Sequence, residues 1–298
     1  MSVRILAVHT GAIGDFVTAL PALQRLAAAG ELTVMGHAGR IALAPYAIDE
    51  VHTLDIESTD FHTAFSEPSE TLRKAVAGFD AALVWFRDED GALARGLRAA
   101  GVERVCAMPG VPLDGWTEHA MDYYHACVDR FFSDTGTDES ATERTVCPKL
   151  RPPVEAKSGE VLIHPGSGSP KKNWPLENFW ELAARLEGSG LPVRWLVGPA
   201  EEGWAFPAGA EVITETDLVR LATRMAAARL FIGNDSGMAH LAAACGCPTV
   251  AVFQASDPEV WMPRGERVEV VGKAGSPPTV NAVEGGARRM LWMGGRSD

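Results

Sequence analysis

The sequence predicts an α/β protein made of two Rossmann-like, doubly wound domains that face each other across a cleft. Short apolar strands alternate with helices in both halves of the chain, which is typical of parallel sheets covered by helices. An acidic and then Pro-rich stretch without periodicity, residues 133–153, separates the halves and is predicted to be a linker. Since 298 residues suffice for two cores, we assign residues 1–150 to an N-terminal domain and residues 151–298 to a C-terminal domain.

In the first half, apolar runs predict strands over residues 5–9, 32–35, 51–55, 81–86 and 105–108. Helical composition predicts helices over residues 16–29, 40–46, 71–77, 91–100 and 118–132. Pro21 predicts a break or kink in the first of these helices, because proline lacks the N–H that an interior helical position donates. The polar residues 60–69 predict an irregular loop.

The second half repeats the alternation around one stretch, FIGNDSGMAHLAAACGCPTVAVF, residues 231–253. It predicts a strand, a polar turn, a helix over residues 238–245, a Gly–Cys–Pro break and a second strand. Further strands are predicted over residues 160–164 and 193–197, and further helices over residues 176–186, 218–228 and 280–291.

Polar, Gly-containing loops follow three strands of the second half, and ligands of open parallel sheets bind at the carboxyl ends of strands. Asp235 and Ser236 precede a helix, so they are either helix caps or part of an anion site that includes His240. Lys171 and Lys172 are either a solvated pair or phosphate ligands. Asp15, which follows the first strand, is either a helix cap or a catalytic carboxylate. Together the three loops favour a nucleotide site.

Composition excludes several classes of protein. The formal net charge of −12 argues against nucleic-acid binding, which needs a basic face. No apolar run approaches the roughly 18 residues of a membrane span, and the first residues lack the apolar region of a signal peptide. The five cysteines show neither a C-x-x-C motif nor zinc-finger spacing, which predicts reduced thiols in a cytoplasm and no metal site.

Three segments resemble the lipopolysaccharide core heptosyltransferases of glycosyltransferase family nine, which have the two-domain GT-B fold. They are GAIGDFVTALPAL at residues 11–23, HPGSGSPKKNWPLENFWELAARL at residues 164–186 and GNDSGMAHLAAACGCPTVAVF at residues 233–253. Residues 118–132 also resemble the family's segment before the linker. The likeness follows the family's order over nearly the whole chain.

The resemblance implies roles for single residues. Asp15 matches the family's general base, and Lys172, two residues before a tryptophan, matches the lysine that neutralises the leaving diphosphate. The contacts to the donor nucleotide and diphosphate are expected at Gly14, Ser167, Lys172, Glu201, Asp235, Ser236, Gly237, Met238 and His240. Neither a metal nor a cofactor is implied.

The resemblance therefore implies an inverting, metal-independent transfer of a sugar, heptose from ADP-heptose, to a lipopolysaccharide-core, lipid-linked or other glycan. It also implies a cytoplasmic protein in peripheral contact with the inner face of the inner membrane. A nucleotide-sugar epimerase or hydrolase of the same fold and an inactive nucleotide-sugar-binding homologue are the alternatives. The acceptor and the donor sugar stay open: acids outnumber bases in residues 1–150, whereas inner-core members of the family bind acceptor phosphates and acids with basic residues of that domain.

Overall fold

A computed structural model of the chain describes residues 2–137 and 144–292. The chain divides into two compact units, Met1–Pro148 and Lys149–Asp298, whereas the sequence-based boundary falls between residues 150 and 151. Part of the predicted linker, residues 138–143, lies outside the described residues. The beginning of that predicted linker is helical instead, because the last helix of the first unit continues to Thr135.

Within its described residues, the first unit contains five parallel strands: β1 Arg4–His9, β2 Glu31–Gly36, β3 His52–Asp55, β4 Ala81–Trp85 and β5 Arg104–Met108. Its α-helices are α1 Ile13–Ala29, α2 Ala38–Ile41, α3 Glu70–Val76, α4 Ala92–Ala100 and α5 Ala120–Thr135. The strand order β3-β2-β1-β4-β5 reverses between β1 and β4. In doubly wound sheets this reversal leaves a crevice at the carboxyl ends of the two strands.

Up to residue 292, the last that the structure describes, the second unit has six parallel strands: β6 Val161–His164, β7 Val193–Val197, β8 Val212–Thr214, β9 Leu230–Asn234, β10 Thr249–Val252 and β11 Val268–Val271. Its α-helices are α6 Leu176–Gly188, α7 Leu218–Ala227, α8 Gly237–Ala244, α9 Pro258–Trp261 and α10 Val280–Trp292. The strand order is β11-β10-β9-β6-β7-β8, so the reversal lies between β6 and β9.

The core of the second unit forms because its central strands are apolar on both faces. Every residue of β6, β9 and β10 is buried, as expected for parallel strands with helices on both sides. Three large aromatic side chains, Trp174, Phe179 and Trp195, pack with α6 and α10 against this sheet. Burying one such side chain stabilises a fold by roughly 1.5–3 kcal/mol. The packed sheet therefore fixes the positions from which the loops at its carboxyl edge begin.

Some elements differ from the sequence-based prediction. Of the predicted break or kink at Pro21, the break is wrong: α1 continues through this proline, which lies in the buried face of the helix. The predicted helix over residues 40–46 is the short α2 followed by a 3-10 turn at Ala44–Tyr46. The predicted loop over residues 60–69 contains a 3-10 helix at Phe61–Phe65, because Phe61 and Ala64 are buried there. Within residues 2–137 and 144–292, no helix is both long and apolar enough to cross a bilayer.

Candidate functional site

The loops that follow β6 and β9 are tied together by Asn234, the last residue of β9. Its side chain has no exposed surface. Asn234 Nδ2 donates to the carbonyl oxygen of Pro165 at 2.6 Å, and Asn234 Oδ1 accepts from the backbone N–H of Trp174 at 2.9 Å. One amide therefore fixes both ends of the loop after β6 against the end of β9. The sequence analysis did not identify this residue.

Replacing Asn234 by alanine should lower the free energy of unfolding by about 2–4 kcal/mol, because the Trp174 N–H and the Pro165 carbonyl lose their buried partner. Urea unfolding followed by tryptophan fluorescence measures this effect. Asn281→Ala is the matched control, because the Asn281 side chain accepts from Arg185 at an exposed position. Equal losses of unfolding free energy in the two variants would show that the Asn234 side chain does not hold the two loops together.

Lys172 and Asp235 form an ion pair at this carboxyl edge. Lys172 Nζ lies 2.7 Å from Asp235 Oδ2, and the Asp235 side chain is only 5% exposed whereas that of Lys172 is 33% exposed. Ser256, which follows β10, donates its hydroxyl to the same carboxylate oxygen. The aspartate thus holds the ammonium group at the start of α8, and the lysine keeps a face open to solvent. A partly exposed cation beside a helix N-terminus is suited to a phosphate group.

The first turn of α8 presents a free hydroxyl group at the same place. Ser236 is the N-cap of α8, but its side chain makes no capping hydrogen bond. Ser236 Oγ is buried and has no hydrogen-bond partner among the described residues. Gly237 and Met238 follow it half-buried, and His240 is buried in the same turn. Ser236 therefore occupies the N-cap position without its side chain capping the helix.

The loop that contains Lys172 is held from two sides. Ser167 Oγ lies 2.6 Å from Asn173 Oδ1 and 2.7 Å from the carbonyl oxygen of Ser169, which closes the loop on itself. Gln254, two residues after the end of β10, donates from Nε2 to the carbonyl oxygens of Lys171 at 3.0 Å and of Asn173 at 2.7 Å. The sequence analysis found Ser167 and missed Gln254 and Ser256.

Glu201 lies under the beginning of this loop. Its side chain is 4% exposed, and Glu201 Oε2 accepts from the backbone N–H of Gly198 at 2.7 Å. A Cβ atom on Gly166 would lie 1.6 Å from Glu201 Oε1, so only glycine permits this approach of the loop to the carboxylate. Nearby, His164 Nδ1 donates to the carbonyl oxygen of Leu196 at 3.0 Å, and burial lowers the pKa of His164. The imidazole is therefore neutral near pH 7.

In the first unit, Asp15 lies in the first turn of α1, just beyond β1. Asp15 Oδ2 accepts from the backbone N–H of Ala12 at 3.0 Å, so the carboxylate helps to cap the helix. Gly14 lies beside it, and its carbonyl oxygen accepts from the Thr18 hydroxyl at 2.8 Å. A Cβ atom on Gly11 would come 2.8 Å from His9 Cε1 and 3.0 Å from Asp15 Cβ. The absence of a side chain on this glycine therefore lets His9 and Asp15 both pack closely against the same point of the backbone.

His9 itself is almost completely buried, packed against the rings of Phe16, Trp85 and Tyr124. Burial, with a smaller contribution from the Arg40 charge, lowers its pKa to about 3, so the ring is neutral at physiological pH. Burial and the nearby Asp15 charge raise the pKa of Tyr124 well above its usual value. His9 and Tyr124 are therefore both uncharged near neutral pH.

Comparison with known sequences decides the family. The sequence profile of glycosyltransferase family 9 (heptosyltransferase) matches residues 114–284, more than half of the chain. The chain belongs to glycosyltransferase family 9. The profile spans the loops that contain Lys172, Asp235 and Gln254.

Single family 9 members agree with this result. The chain is 30% identical over 144 residues to lipopolysaccharide heptosyltransferase 1 of Escherichia coli O18:K1:H7, an alignment that covers 44% of this chain and 43% of the relative. It is 31% identical over 117 residues to lipopolysaccharide heptosyltransferase 2 of Salmonella typhimurium, covering 34% of this chain and 32% of the relative. The alignments thus span less than half the length of these relatives.

Several solved structures match over nearly the whole chain. The E. coli ADP-heptose lps heptosyltransferase II gives a TM-score of 0.76 at 19% identity, covering 98% of this chain and 99% of that one. A family 9 protein from Veillonella parvula DSM 2008 gives 0.72 at 18% identity, covering 97% of both chains. An E. coli heptosyltransferase solved with ADP gives 0.67 at 21% identity, covering 96% and 99%. At these identities the likeness shows the fold, and the prediction of a GT-B fold with two Rossmann-like domains is confirmed.

The site residues expected from the resemblance to family 9 belong to both units. Gly14 and Asp15 belong to the first unit, where both lie in the first turn of α1. The other eight belong to the second unit and follow β6, β7 or β9: Ser167, Lys172, Glu201, Asp235, Ser236, Gly237, Met238 and His240. Their contacts to a ligand stay predictions. In the part of the chain that the structure describes, no group of three or more His, Cys, Asp or Glu side chains is arranged to hold a metal ion.

Proposed function

We propose that the protein is an inverting glycosyltransferase that moves heptose from ADP-heptose to a glycan acceptor. The Lys172–Asp235 ion pair at the start of α8 carries this proposal. It supplies a positive group next to free helix N–H groups, at the strand reversal where doubly wound sheets bind nucleotides. A diphosphate that gains charge as it leaves needs such a preorganised environment.

The donor side of the reaction follows from these groups. The β-phosphate accepts hydrogen bonds from Lys172 Nζ, the Ser236 hydroxyl and the first N–H groups of α8. As the bond between the anomeric carbon and the phosphate oxygen breaks, its electron pair passes to that oxygen, and ADP leaves. The ammonium group stabilises ADP more than it stabilises the bound donor, because the negative charge grows during this step.

The acceptor side requires a base. Asp15 accepts the proton of an acceptor hydroxyl group while the hydroxyl oxygen bonds to the anomeric carbon on the face opposite ADP. The carbon is therefore inverted. The position of Asp15 in the first turn of α1, just beyond β1 and near the uncharged side chains of His9 and Tyr124, supports this role.

The identity of the substrates is inferred from relatives. The similar proteins are named lipopolysaccharide heptosyltransferases, and one solved neighbour is named as an ADP-heptose enzyme. We infer a lipopolysaccharide-core or other lipid-linked glycan as the acceptor, reached by peripheral contact with the inner face of the inner membrane from the cytoplasm. We also infer that no metal or cofactor takes part, since Lys172 and the start of α8 supply the positive charge that the diphosphate needs.

The decisive experiment compares melting temperatures with ADP, UDP, GDP, dTDP and CMP for the wild type and Ser236→Ala. ADP at 100 times its dissociation constant should stabilise the wild type by about 2.7 kcal/mol, and the other nucleotides should stabilise it less. Ser236→Ala should leave the melting temperature of the free protein unchanged or raise it, because this buried hydroxyl has no partner in the described structure. The variant should nevertheless lose part of the ADP shift.

Ser189→Ala is the matched control, since the Ser189 hydroxyl bonds only the exposed backbone of α6. An ADP shift of equal size in Ser236→Ala and wild type would contradict the site. Preference for another nucleotide would contradict the ADP-linked donor. Release of free heptose or of an epimer without an acceptor would show a hydrolase or epimerase instead of a transferase.

A further inference from the structure

We propose that Gln254 is a positioning residue that holds Lys172 in the geometry needed for the leaving diphosphate. The inference rests on the proposed function, since it assigns a helper to the lysine of that site. Gln254 belongs to none of the three segments on which the family resemblance rests.

The side-chain amide of Gln254 binds the backbone on both sides of Lys172. Its Nε2 lies 3.0 Å from the carbonyl oxygen of Lys171 and 2.7 Å from that of Asn173. Both partners are acceptors, so the contact requires the amide nitrogen, whose two hydrogens serve one carbonyl each. Lys172 lies between the two fixed carbonyls, and the direction of its Cα–Cβ bond is set by them.

The same segment also fixes the other end of the lysine side chain. Ser256, two residues after Gln254, donates to the Asp235 carboxylate that binds Lys172 Nζ. Gln254 therefore fixes the backbone on both sides of Lys172, and Ser256 fixes the carboxylate that binds the ammonium group of Lys172. These two residues, which we call the 254–256 clamp, follow β10, the neighbour of β9 in the sheet.

Such a clamp matters because a lysine side chain is flexible. A four-carbon stem loses rotational freedom when its ammonium group is held on a ligand, and this loss weakens binding. A backbone fixed on both sides removes part of that loss before the nucleotide arrives. The clamp should therefore raise affinity for ADP only as long as the Lys172 side chain is present.

The test measures ADP affinity by titration calorimetry, which needs no acceptor. Lys172→Ala should raise the dissociation constant about 10- to 100-fold, the size expected for a lost charged hydrogen bond. Gln254→Leu should raise it about 3- to 10-fold, the size of one or two lost neutral hydrogen bonds. In the Lys172→Ala background, Gln254→Leu should change it less than about twofold, because residues that act through one group are not additive.

Gln24→Leu is the matched control. The Gln24 amide also donates to a backbone carbonyl, that of Ala47, but in the first unit. We expect wild-type ADP affinity in this variant. If Gln254→Leu does not fold, Gln254→Met replaces it, since methionine has similar length and no N–H group.

The outcomes separate the two proposals. Wild-type protein that does not bind ADP would overturn the proposed donor. Weakened binding in Lys172→Ala with wild-type affinity in Gln254→Leu would overturn the clamp and leave the proposed function standing. An equal effect of Gln254→Leu with and without the lysine side chain would show that Gln254 acts on ADP directly, which also overturns its role as a positioning residue.

Discussion

Replacing Asp15 by asparagine should reduce the rate of sugar transfer by about 10²- to 10⁴-fold, the usual contribution of a general base. Asparagine keeps an oxygen that accepts from the Ala12 N–H, so the start of α1 stays capped. It loses the negative charge and the ability to take a proton. The measurement is the steady-state rate of ADP release with donor and acceptor, together with ADP affinity by calorimetry. We expect the affinity to stay within about twofold of the wild type, because the base acts on the acceptor.

Asp80→Asn is the matched control for this variant. Asp80 Oδ2 also accepts from a backbone N–H, that of Arg4, in the same unit, but before β4 and hence at the opposite edge of the sheet. Its replacement should leave the transfer rate within about threefold, as expected for a surface change away from the site. A transfer rate within tenfold of the wild type in Asp15→Asn would exclude Asp15 as the base.

Much of the fold could be predicted because the strands of parallel sheets are apolar on both faces. Central strands such as β6 and β10 are short apolar runs between polar loops, so they can be predicted from the sequence alone. The missed strands β8 and β11 are the edges of the second sheet, and each has exposed or half-buried residues. Pairing with a neighbour fixes these two strands more than their own apolar pattern does, so local signals did not reveal them, whereas the edge strands β3 and β5 of the first sheet were predicted from their apolar runs.

Pro21 illustrates a second limit. An interior proline removes one helical hydrogen bond, and its ring clashes with the preceding turn. The helix nevertheless continues, because the residues around Pro21, including Phe16, Leu20 and Leu23, are buried in the first unit. Tertiary packing therefore outweighs a local penalty of about 3 kcal/mol. This balance depends on residues distant in sequence and is not visible in the helix itself.

The candidate site could also be predicted only in part. Lys172 and Asp235 could be predicted because they lie in polar loops that follow apolar strands, and the structure brings their charged atoms together. The residues that hold them were missed. Gln254 also follows an apolar strand, β10, so the signal existed, but its role depends on two carbonyls more than 80 residues earlier in the chain. The sequence places Asn234 in the predicted polar turn after a strand, whereas in the structure it is a fully buried residue of β9.

Replacing Lys172 by methionine should lower kcat for transfer by about 10²- to 10³-fold, the loss seen when one preorganised group at a developing negative charge is removed. Methionine keeps the length and apolar stem of the lysine and removes the ammonium group. Lys172→Arg should recover only part of the rate. A guanidinium group keeps the positive charge but is planar and larger than an ammonium group, so it does not place its N–H groups where Lys172 Nζ lies. Steady-state kinetics with saturating donor and acceptor measure these effects.

Lys171→Met separates the specific role of Lys172 from the general effect of charge. It makes the same change of net charge one residue away, at an exposed side chain whose backbone carbonyl still accepts from Gln254. We expect its kcat to stay within about threefold of the wild type, because an exposed charge is screened by solvent. If the two methionine variants lose activity equally, the diphosphate responds to the overall positive potential of the loop. If only Lys172→Met loses activity, the ammonium group held by Asp235 is the one that stabilises the leaving ADP.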